Sequence, residues 1–168
     1  RIGELWFEGK ITVAREHLAV RTVMCALAKI RNLVPPSKTN GLPAICCAIE
    51  GDLHELPVHF AHMIFENCGF DVLNFGSNMP VYSLCDEITL NSPKLICISS
   101  TILSDVDRLS RDFATFSEKI CRLNATVILG GRAFKDSLIR KRFPAEYFAA
   151  NFTELSELAT LISSRAAK

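Results

Sequence analysis

Ala44-Ile45-Cys46-Cys47-Ala48-Ile49 is an unbroken apolar run of strand length, followed by the polar turn Gly51-Asp52-Leu53-His54-Glu55-Leu56 and then Pro57. A strand without polar alternation is buried on both faces, as in a parallel sheet covered by helices. Proline is tolerated as a first helical residue, so a helix opens at Pro57 and the stretch reads strand, loop, helix. The texture then repeats. Phe70 to Phe75 predicts a second strand and Pro80 to Leu90 a helix. Leu95 to Ser99 predicts a third strand, followed by a helix from Asp105 to Leu123. Ala125 to Leu129 predicts a fourth, followed by Gly130-Gly131 and a helix from about Lys135. Tyr147 to Ala150 predicts a fifth, and Thr153 to Ser164 a last helix with Thr153 as its cap.

Five such units predict an α/β fold, a flavodoxin-like (Rossmann-like) five-stranded parallel sheet in the order 2-1-3-4-5. Upstream, residues 12–34 predict one long helix, because Val13, Val20, Val23, Leu27, Ile30 and Val34 recur at intervals of three and four once position 16 is included. Glu16 fills that slot, and a carboxylate on such a seam needs a partner or a polar ligand. His17 beside it faces the neighbouring stripe with Met24 and Ala28. A shorter helix carrying Trp6 and ending near Gly9 precedes it, and Pro35, Pro36 and a polar run form a linker. The expected organisation is a helical cap at 1–34, part of a bundle, a linker at 35–42 and the sheet domain at 43–168.

The composition agrees with a globular chain. Of 168 residues 49% are hydrophobic and 22% charged, which excludes disorder, collagen and coiled coil. Nineteen Lys plus Arg against 18 Asp plus Glu leave a net charge of +1, so no electrostatic footprint for nucleic acid stands out and any DNA contact would need a further domain. No apolar run approaches the ~20 residues of a membrane span. The start Arg1-Ile2-Gly3-Glu4 resembles neither a signal peptide nor a translation start, and a fragment of a longer chain is expected. Seven cysteines without a C-x-x-C pair point to buried reduced thiols and a cytoplasmic location.

Ligands of such sheets sit at the carboxyl ends of the strands, near the switch point between the first and third. The loops to inspect are Asp52 to Pro57, Ser99 to Asp105 and Gly130 to Phe134. Asp52 lies two residues before His54, so its carboxylate can hold one ring nitrogen and leave the other free for a metal. His59 and His62, three apart on the following helix, could form a small metal site, but solvated helix positions are the favoured reading. Ser99-Ser100-Thr101 ends the third strand, and Gly130-Gly131 lets a ligand lie against the backbone.

Together, Asp52-x-His54, Ser99-x-Thr101 and Gly130-Gly131 resemble the cobalamin-binding module whose pattern is D-x-H-x-x-G, then S-x-L, then G-G. The resemblance implies His54 as lower cobalt ligand, Asp52 as the residue that tunes it, and Ser99, Thr101, Gly130 and Gly131 as the lining of a slot for the nucleotide tail. Trp6, nine intervening residues and Glu16-His17 also resemble the W-x9-E-H cap of light-sensing regulators of the MerR type, where these residues cover the upper face of the corrin and its adenosyl group. Three positions depart from the patterns. Pro57 stands where the last Gly is expected, Thr101 replaces Leu, and Phe7 follows Trp6 where such photoreceptors can place a cobalt-capturing His.

The resemblance implies a sensory domain binding cobalamin as adenosylcobalamin, not an enzyme, whose transcriptional role would need DNA contact through a domain outside this chain and a second copy or a regulator protein as partner. The alternatives are a corrinoid-carrier subunit of a methyltransferase, which shares the lower pattern without the cap, or a relative that binds haem or only a protein. Receiver domains share the sheet but need a phosphoacceptor Asp after the third strand and a Lys after the fifth, where Ser99 and Asn151 stand. No G-x-S-x-G, G-x-G-x-x-G or P-loop occurs, which argues against hydrolases and glycine-loop nucleotide binders.

Overall fold

The computed structural model describes residues 2–33 and 37–166. Contacts divide the chain into two compact units, residues 1–36 and 37–168.

The second unit is a five-stranded parallel sheet flanked by helices. Its strands are β1 (Pro43–Ala48), β2 (Asp71–Asn74), β3 (Leu95–Ser99), β4 (Thr126–Gly130) and β5 (Tyr147–Ala149), in the order β2-β1-β3-β4-β5. This is the flavodoxin-like α/β fold read from the apolar runs. In the central register Ala48 pairs with Ser99 and Ser99 with Gly130, which brings the ends of β1, β3 and β4 level. The edge strand β2 is only four residues long and alternates exposed and half-buried positions, because successive side chains point to opposite faces and Val72 packs on one core while Asp71 and Leu73 are exposed.

Two cores lie on opposite faces of the sheet, and they differ in side-chain size. On one face Ile45, Cys47, Ile49, Ile96, Ile98, Val127 and Leu129 meet α4 (Val81–Asn91) and α5 (Val106–Leu123). Phe113 sits 5.3 Å from Phe116 and 5.4 Å from Phe143, centroid to centroid, so this face is filled by large rings and branched chains. On the other face Ala44, Cys46, Ala48, Leu95, Cys97, Ile128 and Ala149 meet α3 (Leu56–Asn67) and α7 (Phe152–Ala166). Small side chains at Ala48, Cys97 and Ala149 leave less to fill the space towards the strand ends.

Four of the seven cysteines, Cys46, Cys47, Cys85 and Cys97, are buried, and burial pushes the Cys97 thiol up to about 12. They are small apolar side chains that stay protonated. Cys25 and Cys121 are instead exposed. Among the described residues no helix is long and apolar enough to cross a membrane.

Two local readings change. The helix expected from Lys135 is a 3-10 turn at Arg132–Lys135 followed by α6 (Ser137–Arg142), because Asp136 leaves helical dihedrals and accepts from Leu138 N at 2.8 Å as the cap of a new helix. The cap of α7 is Asn151 rather than Thr153: Asn151 Oδ1 accepts from Glu154 N at 2.9 Å, while Glu154 Oε2 accepts from Ala150 N at 2.9 Å.

In the first unit α1 (Ile2–Phe7) ends where Gly9, at φ +70°, donates to Trp6 O, and α2 runs Val13–Leu33. The seam is half-buried at Glu16, Val20, Val23 and Leu27, but Val13 and Ile30 are exposed. Val34, Pro35 and Pro36, read as helix end and linker, lie outside the described residues.

Replacing Asn151 by Ala should lower the unfolding free energy by about 1 kcal/mol in urea, whereas Thr153→Ala should change it by less than about 0.5 kcal/mol. Equal effects would restore Thr153 as the cap.

Candidate functional site

The polypeptide leaves β1 through Ile49 and turns at Gly51, whose φ of +82° suits glycine. Two bonds from the β2–α4 loop hold this turn: Gly51 N donates to Asn78 Oδ1 at 2.8 Å, and Asn78 N donates to Asp52 O at 2.9 Å. Asn78 itself sits in the left-handed region at φ +58°, which Asn tolerates better than most residues.

Asp52 is 1% exposed and fully engaged. Its Oδ1 accepts from His54 N at 2.9 Å and from His54 Nδ1 at 2.6 Å, and its Oδ2 accepts from the backbone N of Thr101, beyond β3. One buried carboxylate therefore joins the loop after β1 to the loop after β3. A ring that donates Nδ1–H to a carboxylate presents its lone pair at Nε2. His54 is half-exposed and its Nε2 has no protein partner among the described residues.

Beside Thr101 lies a groove of about 230 Å³ at the carboxyl ends of β3, β4 and β5, between the starts of α3 and α7. Ser99, Thr101, Gly130 and Gly131 all line it, so these four residues share one cavity and Asp52 ties it to His54. Pro57 occupies the first turn of α3 and forms part of the wall, which leaves the groove open. Thr101 serves Asp52 through its backbone N–H, a role independent of its side chain.

The two glycines have different reasons to be there. A Cβ on Gly131, at φ +103°, would lie 2.3 Å from Ser100 O, so the protein's own β3 loop demands glycine. A Cβ on Gly130 would meet only Ala149 O at 3.5 Å, an ordinary contact, so its bareness keeps the groove open.

The two histidines of α3 do not come together on an ion. His59 faces Glu55 at 3.5 Å and His62 faces Glu66 at 3.1 Å, each within its own helical turn. Among the described residues no group of three or more His, Cys, Asp or Glu could hold a metal.

Glu16 and His17 lie 3.7 Å apart in α2, with His17 well exposed, and Trp6 is half-exposed on α1. Residues that the motifs did not flag are Asn78, Arg132 and Asn151. The turn composition Gly76-Ser77-Asn78 was the available signal for the first. Arg132 directly follows the glycine pair.

No family model matches the chain. It is 19% identical over 155 residues to dimethylamine corrinoid protein 1 of Methanosarcina acetivorans, covering 91% of this chain and 72% of that protein. The monomethylamine corrinoid protein of Methanosarcina barkeri superposes with a TM-score of 0.79 at 16% identity, over 95% of this chain and 76% of the other. A cobalamin-binding protein from Desulfitobacterium hafniense DCB-2 superposes with a TM-score of 0.61 at 20% identity, over 96% and 76%. At these identities the structural likenesses establish the fold.

Asp52→Asn should cost about 1–3 kcal/mol, because an amide turns its own N–H bonds towards either Thr101 N or the His54 donors and leaves a buried donor unpaired. Urea unfolding measures it, and an unchanged midpoint would mean that the carboxylate is not the junction described.

Proposed function

We propose that the unit spanning residues 37–168 binds a corrinoid, with His54 Nε2 as the lower ligand of cobalt and the groove beside Thr101 taking the nucleotide tail. The single observation that carries this reading is the Asp52–His54 pair: a half-exposed imidazole with a free Nε2, set by a buried carboxylate beside a groove floored by small residues. The residues present fit the group. One protein ligand is supplied, Gly130 offers bare backbone, and Pro57 lines the groove without closing it. That the relatives reported are corrinoid proteins favours a corrinoid over haem.

Within that class we favour a methyl-carrying corrinoid protein that works with methyltransferases, since the curated relative and the monomethylamine protein are corrinoid proteins named for methylamines. When bound, the corrinoid supplies a cobalt centre able to accept a methyl group and pass it on. The chain's own contribution is positional. Asp52 fixes the His54 tautomer, Thr101 N fixes Asp52, and Asn78 fixes the backbone carrying both. The light-sensing regulatory reading, with adenosylcobalamin under Trp6, Glu16 and His17, rests on those three cap residues and is the second reading.

Reconstitution followed by visible absorption tests the proposal. Wild type should take up cobalamin with a spectrum of imidazole-coordinated cobalt, and His54→Ala should lose that signature. Failure of the wild type to take up any corrinoid, or an unchanged spectrum in the variant, would sink it. Transfer of the methyl group from the methyl-loaded protein to a thiol in the presence of a methyltransferase supports the carrier. Light-dependent loss of a stably bound adenosyl group would instead favour the sensor.

A further inference from the structure

Between α3 and β2 lies a polar cluster that the site does not use. Asn74, the last residue of β2, turns its side chain back on its own backbone: Oδ1 accepts from Gly76 N at 2.8 Å. A backbone N–H can only donate, so this bond fixes which end of the amide is oxygen and leaves Nδ2 facing His62 Nδ1 at 3.3 Å. An amide nitrogen likewise can only donate. The contact is therefore a hydrogen bond only while His62 Nδ1 is bare and the ring proton sits on Nε2. That Nε2 is buried without a hydrogen-bond partner, and the Glu66 carboxylate lies 3.1 Å from it, near but not aligned to bond.

The two neighbours pull in opposite directions. Glu66 favours an imidazolium, whereas Asn74 opposes one, because a proton on Nδ1 would set two N–H groups against each other. Rotating the Asn74 amide gives the charged ring an acceptor but turns Nδ2 on Gly76 N. The amide can thus satisfy the turn or a charged His62, never both. Around this pair, the sheet face beneath α3 presents the thiols of Cys46 and Cys97, which burial above all pushes up so that they stay protonated. Asp71 points to the opposite face of β2 and bonds Thr39 at 2.7 Å. The helix α7 meets α3 through Phe60 and Phe152, 5.0 Å apart between centroids, and His59 on α3 faces Glu55.

The turn that Asn74 closes reaches the site loop. Gly76 O accepts from Ala48 N at 2.8 Å, at the end of β1, and two residues later Asn78 bonds Gly51 N and Asp52 O. We propose that His62 and Asn74 form a proton-sensitive latch on the β2–α4 turn. With neutral His62 the latch is closed, and Asn78 holds the loop that carries Asp52 and His54. Protonation of His62 turns the Asn74 amide, frees Gly76 N and loosens that hold. The open form carries the extra proton, so it gains population as pH falls. Every contact involved belongs to the chain itself, so the latch stands apart from the corrinoid reading.

Hydrogen exchange on the full chain without added ligand tests it, read as protection of the Gly76 amide relative to an unstructured peptide at the same pH. Between about pH 7.5 and about pH 5.5, the range in which histidine ordinarily changes charge, wild-type protection should fall roughly tenfold, the scale of one lost hydrogen bond. A smaller fall is expected at Gly51 N. Asn74→Asp offers an acceptor to Gly76 N and to the ring alike, so the turn should stay protected at both pH values. His62→Gln removes the titrating ring and should also abolish the pH dependence. His54 and His59 remain in both variants, so a fall in protection that persists unchanged in them overturns the latch. Equal wild-type protection of Gly76 at the two pH values overturns it as well, and so does a loss spread evenly over the amides of β1 and β3.

Discussion

The buried carboxylate of Asp52 is the constraint on which the site depends. It joins two loops from adjacent central strands, and its two oxygens take three N–H groups, two from His54 and one from Thr101. A carboxylate at 1% exposure is tolerable only with such a donor set, so burial and coordination of the loops are one fact seen from two sides. The consequence is directional. Because the fold needs Asp52 to hold Thr101 N and the His54 backbone, the His54 ring is oriented as part of the same arrangement and requires no ligand to organise it.

The fold was legible because its signal is redundant. Every residue of β3, and every residue of β1 but Pro43, is buried, and such strands are apolar through their length, which is what the runs at Ala44–Ile49 and Leu95–Ile98 present before the polar strand end at Ser99. The short elements carried less information. The cap of α7 turned on which of two polar residues, Asn151 or Thr153, lies outside the first helical turn, and either composition is compatible with a cap. The break at Asp136 is likewise a local choice between continuing and restarting a helix.

The site was legible only in part, for a different reason. Asp52, His54, Ser99, Thr101, Gly130 and Gly131 stand at strand ends in fixed spacing, so a one-dimensional pattern suffices to find them. Asn78 acts on Gly51 and Asp52 from 26 or more positions away, through a turn that could hold any conformation until the edge strand β2 is placed beside β1. Gly131 shows that a pattern can identify a residue while leaving its reason open. Its missing side chain is required by Ser100 O, whereas Gly130 is the glycine whose bareness faces the groove.

The two faces of the sheet explain why the groove lies where it does. On the α4 and α5 side the interior is filled by Phe113, Phe116, Phe134 and Phe143 with Ile and Leu from the strands. On the α3 and α7 side Cys97, Ala149 and Ala61 are short, and the helices begin at Leu56 and Phe152, beyond the last strand residues. Shortening side chains in a core ordinarily costs stability because the void forfeits contacts. Here the shortened side chains instead leave a groove that opens to solvent at the carboxyl ends of β3, β4 and β5, with Thr101 joining it to the Asp52–His54 pair.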